Sequence, residues 1–320
     1  MDSKDYKIIN YLVNNSRTSY TLISESEKIP LSVVKYRVER LKEQGIIIRF
    51  NTLIDYTILG YTVHRFHFIL QYTSAEMKKK IIEHFLNYNF TINIYNTRGK
   101  YDLVVAILEK NSMDFFSFYE KTLKNFCRYF REIYISKIFE IYVNEKSQSF
   151  LEKRKNIQKL PWNNIHSIVK IEPLDYKILD LLSKDSRISS LEIAKRLQVS
   201  TTTIIRHINE LTYKGIILNY SIITDSKKLG YKQFIIYLSL NDYNKKMEII
   251  RYLSTISSIG EIYCILGNWS IELILLTPSF EHFITLMEKI KNRYIQDIMH
   301  YDYVFIEDTY KTSTNLYEEG

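Results

Sequence analysis

Arg37 and Arg40, with Ser32 and Tyr36, lie along one side of a stretch whose other side is Val34, Val38 and Leu41. The three apolar residues sit at i, i+4 and i+7, which gathers them on one face of a helix and turns the donors to the opposite face. Leu31 and Val33 complete the outward set near the start of that helix. A second stretch repeats the arrangement, with Ile204, Ile208 and Leu211 inward and Thr201, Thr202, Thr203, Arg206, His207 and Glu210 outward. A guanidinium can hold O6 and N7 of guanine together, or a phosphate, while Val33 and the threonine methyls can meet a thymine methyl. The chemistry is that of helices reading the major groove of double-stranded DNA, and Arg37 and Arg206 are the foremost candidates for the contact. A charged helix face can equally be no more than solvated surface, so the surrounding elements decide between the two.

Other chemistry is sparse. The seven histidines, 64, 67, 84, 166, 207, 282 and 300, are scattered. His64 and His67 come closest to a cluster, yet three residues apart on a strand they point to opposite faces. Cys127 and Cys264 have no neighbouring cysteine or histidine at metal-ligand spacing, so both are expected to be small core residues. No nucleophile elbow or phosphate-binding glycine loop is present, and neither a metal nor a cofactor is expected. Apolar runs such as Phe234–Leu238 and Ile271–Leu276 are far shorter than the roughly 20 residues that cross a bilayer. With no apolar leader at the N-terminus, the expectation is a cytoplasmic protein without a membrane partner. At 46% apolar and 14% aromatic, with 8 glycines and 4 prolines in 320 residues, the chain can bury substantial cores, which excludes wholesale disorder.

The elements that would position the donors are found by sliding the chain against itself. At an offset of 170, residues 5–61 lie over 175–231 without a gap and 17 of 57 positions are identical, among them Asp5/Asp175, Ser16/Ser186, Arg17/Arg187, Gly45/Gly215 and Gly60/Gly230. Further on, Tyr95, Gly99 and Tyr101 match Tyr263, Gly267 and Trp269 at an offset of 168. The chain is a tandem duplication. The first sixty residues of each copy predict three short helices, the third closed by Gly45 or Gly215, then a strand, a turn and a second short strand. That is the winged helix-turn-helix plan. The remainder of each copy predicts βαββαβ: strands at 61–71, 92–98, 101–108 and 132–143 with helices at 75–86 and 112–127, and strands at 231–240, 259–266, 269–276 and 298–307 with helices at 245–254 and 279–294. This is the ferredoxin-like pattern, whose sheet has one face free of helices. His64, Phe66, Phe68 and Leu70 suggest a face that meets a partner sheet.

Leu174-Asp175-Tyr176-Lys177-Ile178-Leu179, Ser186-Arg187-Ile188-Ser189, Leu197-Gln198-Val199-Ser200, Lys214-Gly215-Ile216-Ile217 and Leu229-Gly230-Tyr231 together resemble the leucine-responsive regulatory protein (Lrp/AsnC) family. The resemblance covers both copies. It implies an α+β chain in which two winged helix-turn-helix domains (1–60 and 173–230) alternate with two ferredoxin-like RAM domains (61–145 and 231–320), around a linker at 146–172 with a short helix near 149–158. It further implies a transcription regulator that binds DNA, dimerises through its RAM domains and senses amino acids or related molecules. The RAM pair could form as a homo-oligomer or as a pseudo-dimer within one chain. In the family a Gly-aromatic-Asp turn contributes to the effector pocket. Copy one carries it as Gly99-Lys100-Tyr101-Asp102, where Asp102 could accept from an ammonium group; copy two has Gly267-Asn268-Trp269-Ser270 and lacks the carboxylate. The alternative is a siroheme decarboxylase-like enzyme on the same duplicated scaffold, which needs His and Arg gathered around tetrapyrrole carboxylates.

The copies are not equivalent. Ser200 can cap the second recognition helix, whereas Pro30 holds that position in copy one and has no side-chain acceptor. Lys35, Arg37 and Arg40 align with Ile205, His207 and Glu210, so two unlike half-sites and a non-palindromic operator are expected. The formal charge is +8, yet residues 1–61 and 171–231 each hold nine basic and seven acidic residues. The excess includes Lys78, Lys79, Lys80, Arg128 and Arg131, either a solvated surface or nonspecific phosphate contacts.

Overall fold

The computed structural model describes residues 1–144, 157–160 and 168–310. Copy one opens with α1 (Ser3–Asn14), α2 (Tyr20–Glu27) and α3 (Leu31–Glu43), followed by β1 (Ile47–Ile54). Its second part runs β2 (Thr62–Leu70), α4 (Ala75–Leu86), β3 (Thr91–Gly99), β4 (Leu103–Glu109), α5 (Ser112–Phe126) and β5 (Phe130–Asn144). A short strand, β6 (Ile157–Leu160), pairs with the end of β5. Copy two repeats the order with α6 (Pro173–Lys184), α7 (Ser190–Leu197), α8 (Thr201–Tyr213), β7 (Ile217–Thr224), β8 (Lys232–Leu240), α9 (Lys246–Leu253), β9 (Ile259–Leu266), β10 (Ile271–Thr277), α10 (Phe280–Arg293) and β11 (Ile298–Tyr310). Residues 149–156 of the helix expected near 149–158 lie outside the described residues, and 157–158 belong to β6.

Local chemistry sets the helix limits. The Asp2 carboxylate accepts the Asp5 N–H at 3.0 Å and Asp5 accepts that of Asp2 at 3.0 Å, a reciprocal cap for α1. At the far end of α3, Gly45 takes φ +63° and lets the Ile46 N–H return to the Leu41 carbonyl at 2.9 Å; Gly215 does the same for α8 at φ +72°.

The wing differs from expectation. Neither copy forms its own hairpin. β1 pairs antiparallel with β7 of the other copy, and Asn51 lies opposite Ser221, its own repeat equivalent. The hydroxyls of Ser16 and Ser186, also equivalent, meet at 2.5 Å. A pseudo-twofold axis therefore runs through both contacts. Each strand packs on the other copy's helices: Ile54 joins Ile178, Leu182 and Leu211 in one core, and Ile222 joins Ile8, Leu12 and Leu41 in another. A lone two-stranded hairpin is marginal in water, and exchanging the strand covers it on both sides.

Each ferredoxin-like half has its strands in the order last, first, third, second, giving β5-β2-β4-β3 and β11-β8-β10-β9. The last strands are long enough to serve both halves. β5 pairs with β2 through Ile138 and then with β9, while β11 pairs with β8 and then with β3. The eight strands close into a ring, which removes free sheet edges.

Helices cover the outside. Phe66, Phe68, Ile94 and Val105 of the sheet pack against Phe85 of α4, and Phe234 packs against Ile250 of α9 and Phe283 and Met287 of α10. His64, Phe66, Phe68 and Leu70, expected to meet a partner sheet, instead face this helical layer; His64 stacks on Phe115 at 4.6 Å. The partner sheet is met by Val63, Arg65, His67 and Ile69. A single-residue parity in the strand exchanges the faces. Cys264 is buried, which raises its thiol to about 12, but Cys127 is exposed, contrary to the expectation of two core cysteines.

Candidate nucleic-acid interface and effector site

α3 and α8 each bury one apolar stripe, Val34, Val38 and Leu41 in the first and Ile204, Ile208 and Leu211 in the second. Ser32, Lys35, Tyr36 and Glu39 stand outward on α3, and Thr202, Ile205, Arg206, Asn209 and Glu210 on α8. Tyr36 is 66% exposed. Leu31, Val33, Thr201 and Thr203 are half-buried at the helix starts. Along the outer flank of α8 lies a hollow of about 520 Å³ between Thr202, Ile205, Arg206 and Tyr213.

Three of the expected DNA-contacting residues are otherwise engaged. Arg37 Nη1 donates to Asp2 at 2.7 Å and to Asp5 at 2.8 Å, and Arg40 Nη2 donates to Asp5 at 2.6 Å. At the equivalent place in copy two, His207 is 3% exposed and its Nδ1 donates to Asp175 at 2.7 Å. These basic groups brace the third helix of each copy against the start of the first through a buried aspartate. His207 is thus turned away from the outer face. The sequence carried the signal in retrospect: Asp5 and Asp175 are identical at offset 170, and each is matched by a basic residue 32 positions on. Arg206 remains outward, with a loose 3.9 Å contact to Glu210. The cap asymmetry is present too, for Ser200 accepts the Thr203 N–H at 3.0 Å while Pro30 makes no side-chain cap.

The Gly-aromatic-Asp turn lies where the halves meet. Gly99 has φ +127°, and a Cβ there would come within 2.7 Å of the Tyr303 carbonyl oxygen on β11. Only glycine lets the two backbones approach so closely. Tyr101 is fully buried and its hydroxyl accepts from Trp269 Nε1 at 3.1 Å, joining the equivalent aromatics of the two copies. The Asp102 carboxylate accepts the Leu70 N–H at 2.8 Å. Beside the turn is an open hollow of about 430 Å³ lined by Gly99, Lys100, Tyr301, Asp302 and Tyr303, in which Lys100 pairs with Asp302 and lies 4.3 Å from the Trp269 ring centre. The matching turn of copy two, at Gly267, abuts Ile135 and Ser136 of β5.

Sequence reasoning missed the interior of the strand ring. Arg65 of β2 and Glu272 of β10 form an ion pair there, both essentially sealed from solvent. Arg65 also lies 4.5 Å from the Tyr263 ring centre, and His67 sits 3.8 Å from Glu272 between Tyr101 and Tyr237. Burial, aided by the Arg65 charge, drives the His67 pKa down to about 3, so its ring is neutral. Stranding one member of such a pair costs about 3–5 kcal/mol.

A model for winged helix-turn-helix DNA-binding matches residues 1–48 and 171–217, once per copy. The HTH-type transcriptional regulator FL11 of Pyrococcus horikoshii is 32% identical over 118 residues, 37% of this chain and 77% of that one. The regulatory protein AsnC of Haemophilus influenzae is 38% identical over 111 residues, 33% of this chain and 72% of its own. The chain belongs to the Lrp/AsnC family of transcriptional regulators. Each of these relatives matches about a third of this chain, in keeping with the duplication. In architecture it is similar to the siroheme decarboxylase NirDL, with a TM-score of 0.66 over 99% of this chain and 95% of that one; at 12% identity the likeness is one of fold. Among the described residues no helix is long and apolar enough to cross a membrane, and no group of three or more His, Cys, Asp or Glu could hold a metal ion.

Proposed function

We propose that this family member binds double-stranded DNA sequence-specifically and reads two unlike half-sites, one with each recognition helix. The observation that carries the reading is the contrast between the exposed faces: Ser32, Lys35, Tyr36 and Glu39 on α3 against Thr202, Ile205, Arg206 and Asn209 on α8. Two helices related by a pseudo-twofold axis suit the two halves of one operator. Because the side chains differ, the preferred bases differ. Arg206 is the bidentate reader of this proposal, Ser32, Tyr36, Thr202 and Asn209 are supporting contacts, and Arg37 and Arg40 hold α3 in place. Selection of bound fragments from a random duplex pool tests it. A non-palindromic consensus whose halves change separately in Tyr36→Ala and Arg206→Ala chains is expected; a symmetric consensus, or none, refutes the reading.

Modulation by an amino acid belongs to the same proposal, with the hollow beside Gly99 as its place. Lys100 can meet a carboxylate and Asp302 an ammonium group. Calorimetric titration with amino-acid pools, repeated on Asp302→Asn, is the test, and binding indifferent to that substitution excludes the hollow.

The decarboxylase alternative rests on the shared architecture. Against it, Arg65 and His67 point into the closed ring, where Glu272 neutralises the arginine and aromatic rings fill the surroundings. An absorbance spectrum after incubation with siroheme separates the readings, since a tight complex with a shifted Soret band would favour the enzyme.

A further inference from the structure

The pseudo-twofold axis relates the strands of the two halves around the ring interior, and two departures from it in charge are instructive. Tyr95 matches Tyr263 and Tyr101 matches Trp269, apolar or aromatic on both sides. Arg65, however, matches Ile235, and Glu272 matches Val104. Copy one thus contributes a buried cation with no anion at its own equivalent position, and copy two a buried anion with no cation. Ile235 and Val104 both lie in the apolar cluster of the interior.

We infer that the Arg65–Glu272 pair is a recognition code by which the copy-one half accepts a copy-two half and rejects a second copy of itself. In a like pairing of two copy-one halves, both Arg65 side chains would be sealed against Val104 with no carboxylate. In a pairing of two copy-two halves, both Glu272 side chains would face Ile235. Only the unlike pair satisfies both ions, and each like pair leaves two like charges stranded. The partner that fits this surface is an unlike half, from the same chain or exchanged from another, never a like half.

The code can be moved without changing its composition. In the full chain, Val104→Glu with Glu272→Val transfers the acid to the equivalent position of copy one, opposite His67 and diagonal to Arg65 on the paired strand, so that a like pair of copy-one halves no longer strands Arg65 and copy two no longer supplies its counterion. Ser16 reports the outcome, because the axis sets it against its equivalent, Ser186. In a Cys127→Ser background, Ser16→Cys alone forms a disulfide between chains only when copy-one halves pair together, whereas Ser16→Cys with Ser186→Cys reports unlike pairing. After oxidative refolding, the native pair should give little cross-linked dimer with Ser16→Cys alone. The relocated acid should raise it roughly ten-fold or more. An unchanged yield, or an equal yield from the native pair, overturns the inference. Should the relocated variant fail to fold, the inverted chain Arg65→Glu, Glu272→Arg decides: it should recover most of the melting temperature lost by either single change. A double variant melting no higher than the singles overturns the inference as well.

Discussion

Two basic residues at the same position of the two copies show how side-chain setting outranks side-chain type. Arg37 and His207 both serve a buried aspartate, Asp5 or Asp175, at the start of the preceding helical unit. Arg37→Ala should therefore lower stability by about 1–3 kcal/mol, as loss of a charged hydrogen bond to a buried group does, while Arg206→Ala should leave the melting temperature unchanged. On a specific duplex Arg206→Ala should weaken binding by about 1–3 kcal/mol. Thermal denaturation beside fluorescence anisotropy distinguishes them. His67 makes a second prediction at this scale. Its folded pKa is depressed by burial and by Arg65, so protonation favours the unfolded chain. Its contribution to stability is complete above the ordinary histidine value of about 6.5 and is lost as pH falls toward about 3. His64 and His84, lowered by burial to a lesser degree, act in the same direction. The melting temperature should decline between about pH 6.5 and pH 5, before most carboxylates titrate, and His67→Phe should flatten that decline. An unchanged slope would contradict the buried, neutral ring.

At the scale of elements, the caps of the two recognition helices differ in kind. Ser200→Ala removes the bond to the Thr203 N–H and should cost about 1 kcal/mol. Pro30→Ala removes no such bond and should cost less in denaturant titration. The glycine turn allows a sharper forecast. Gly99→Ala forces both an unfavourable φ and a 2.7 Å approach to the Tyr303 carbonyl, so about 2 kcal/mol or more should be lost. Gly230, with positive φ but nothing within 4 Å of an added Cβ, should lose about half as much. Equal losses at the two positions would mean that backbone conformation alone, without the contact between halves, explains the turn.

On the scale of the whole molecule, three features join the copies: the β1–β7 ribbon, the closed ring of eight strands and the buried ion pair within it. A relative that spans about a third of this chain can supply one half, and the duplication supplies both from one polypeptide. Under the proposed reading of DNA, the consequence is two distinct faces held in fixed relation. Its affinity should fall steeply with salt in proportion to the phosphates contacted. Arg206→Ala should change the consensus at one half-site without altering the other, which footprinting of the selected duplex can follow.

The duplication, the order of the elements and the apolar faces of α3 and α8 were legible from the sequence, because repeat offset and helical period are local properties of the chain. The strand boundaries were close for the same reason. Which chain segment each strand would pair with was not legible: a strand's alternation records that one face is buried, not whose strand lies beside it. Hence the wing was expected as a hairpin within each copy, and the face of β2 that meets the other half was misjudged by one residue. The roles of Arg37, His207, Arg65 and Glu272 depend on partners 32 to 207 positions away. Only the folded chain brings those charges together, and burial then decides which of them can face a ligand.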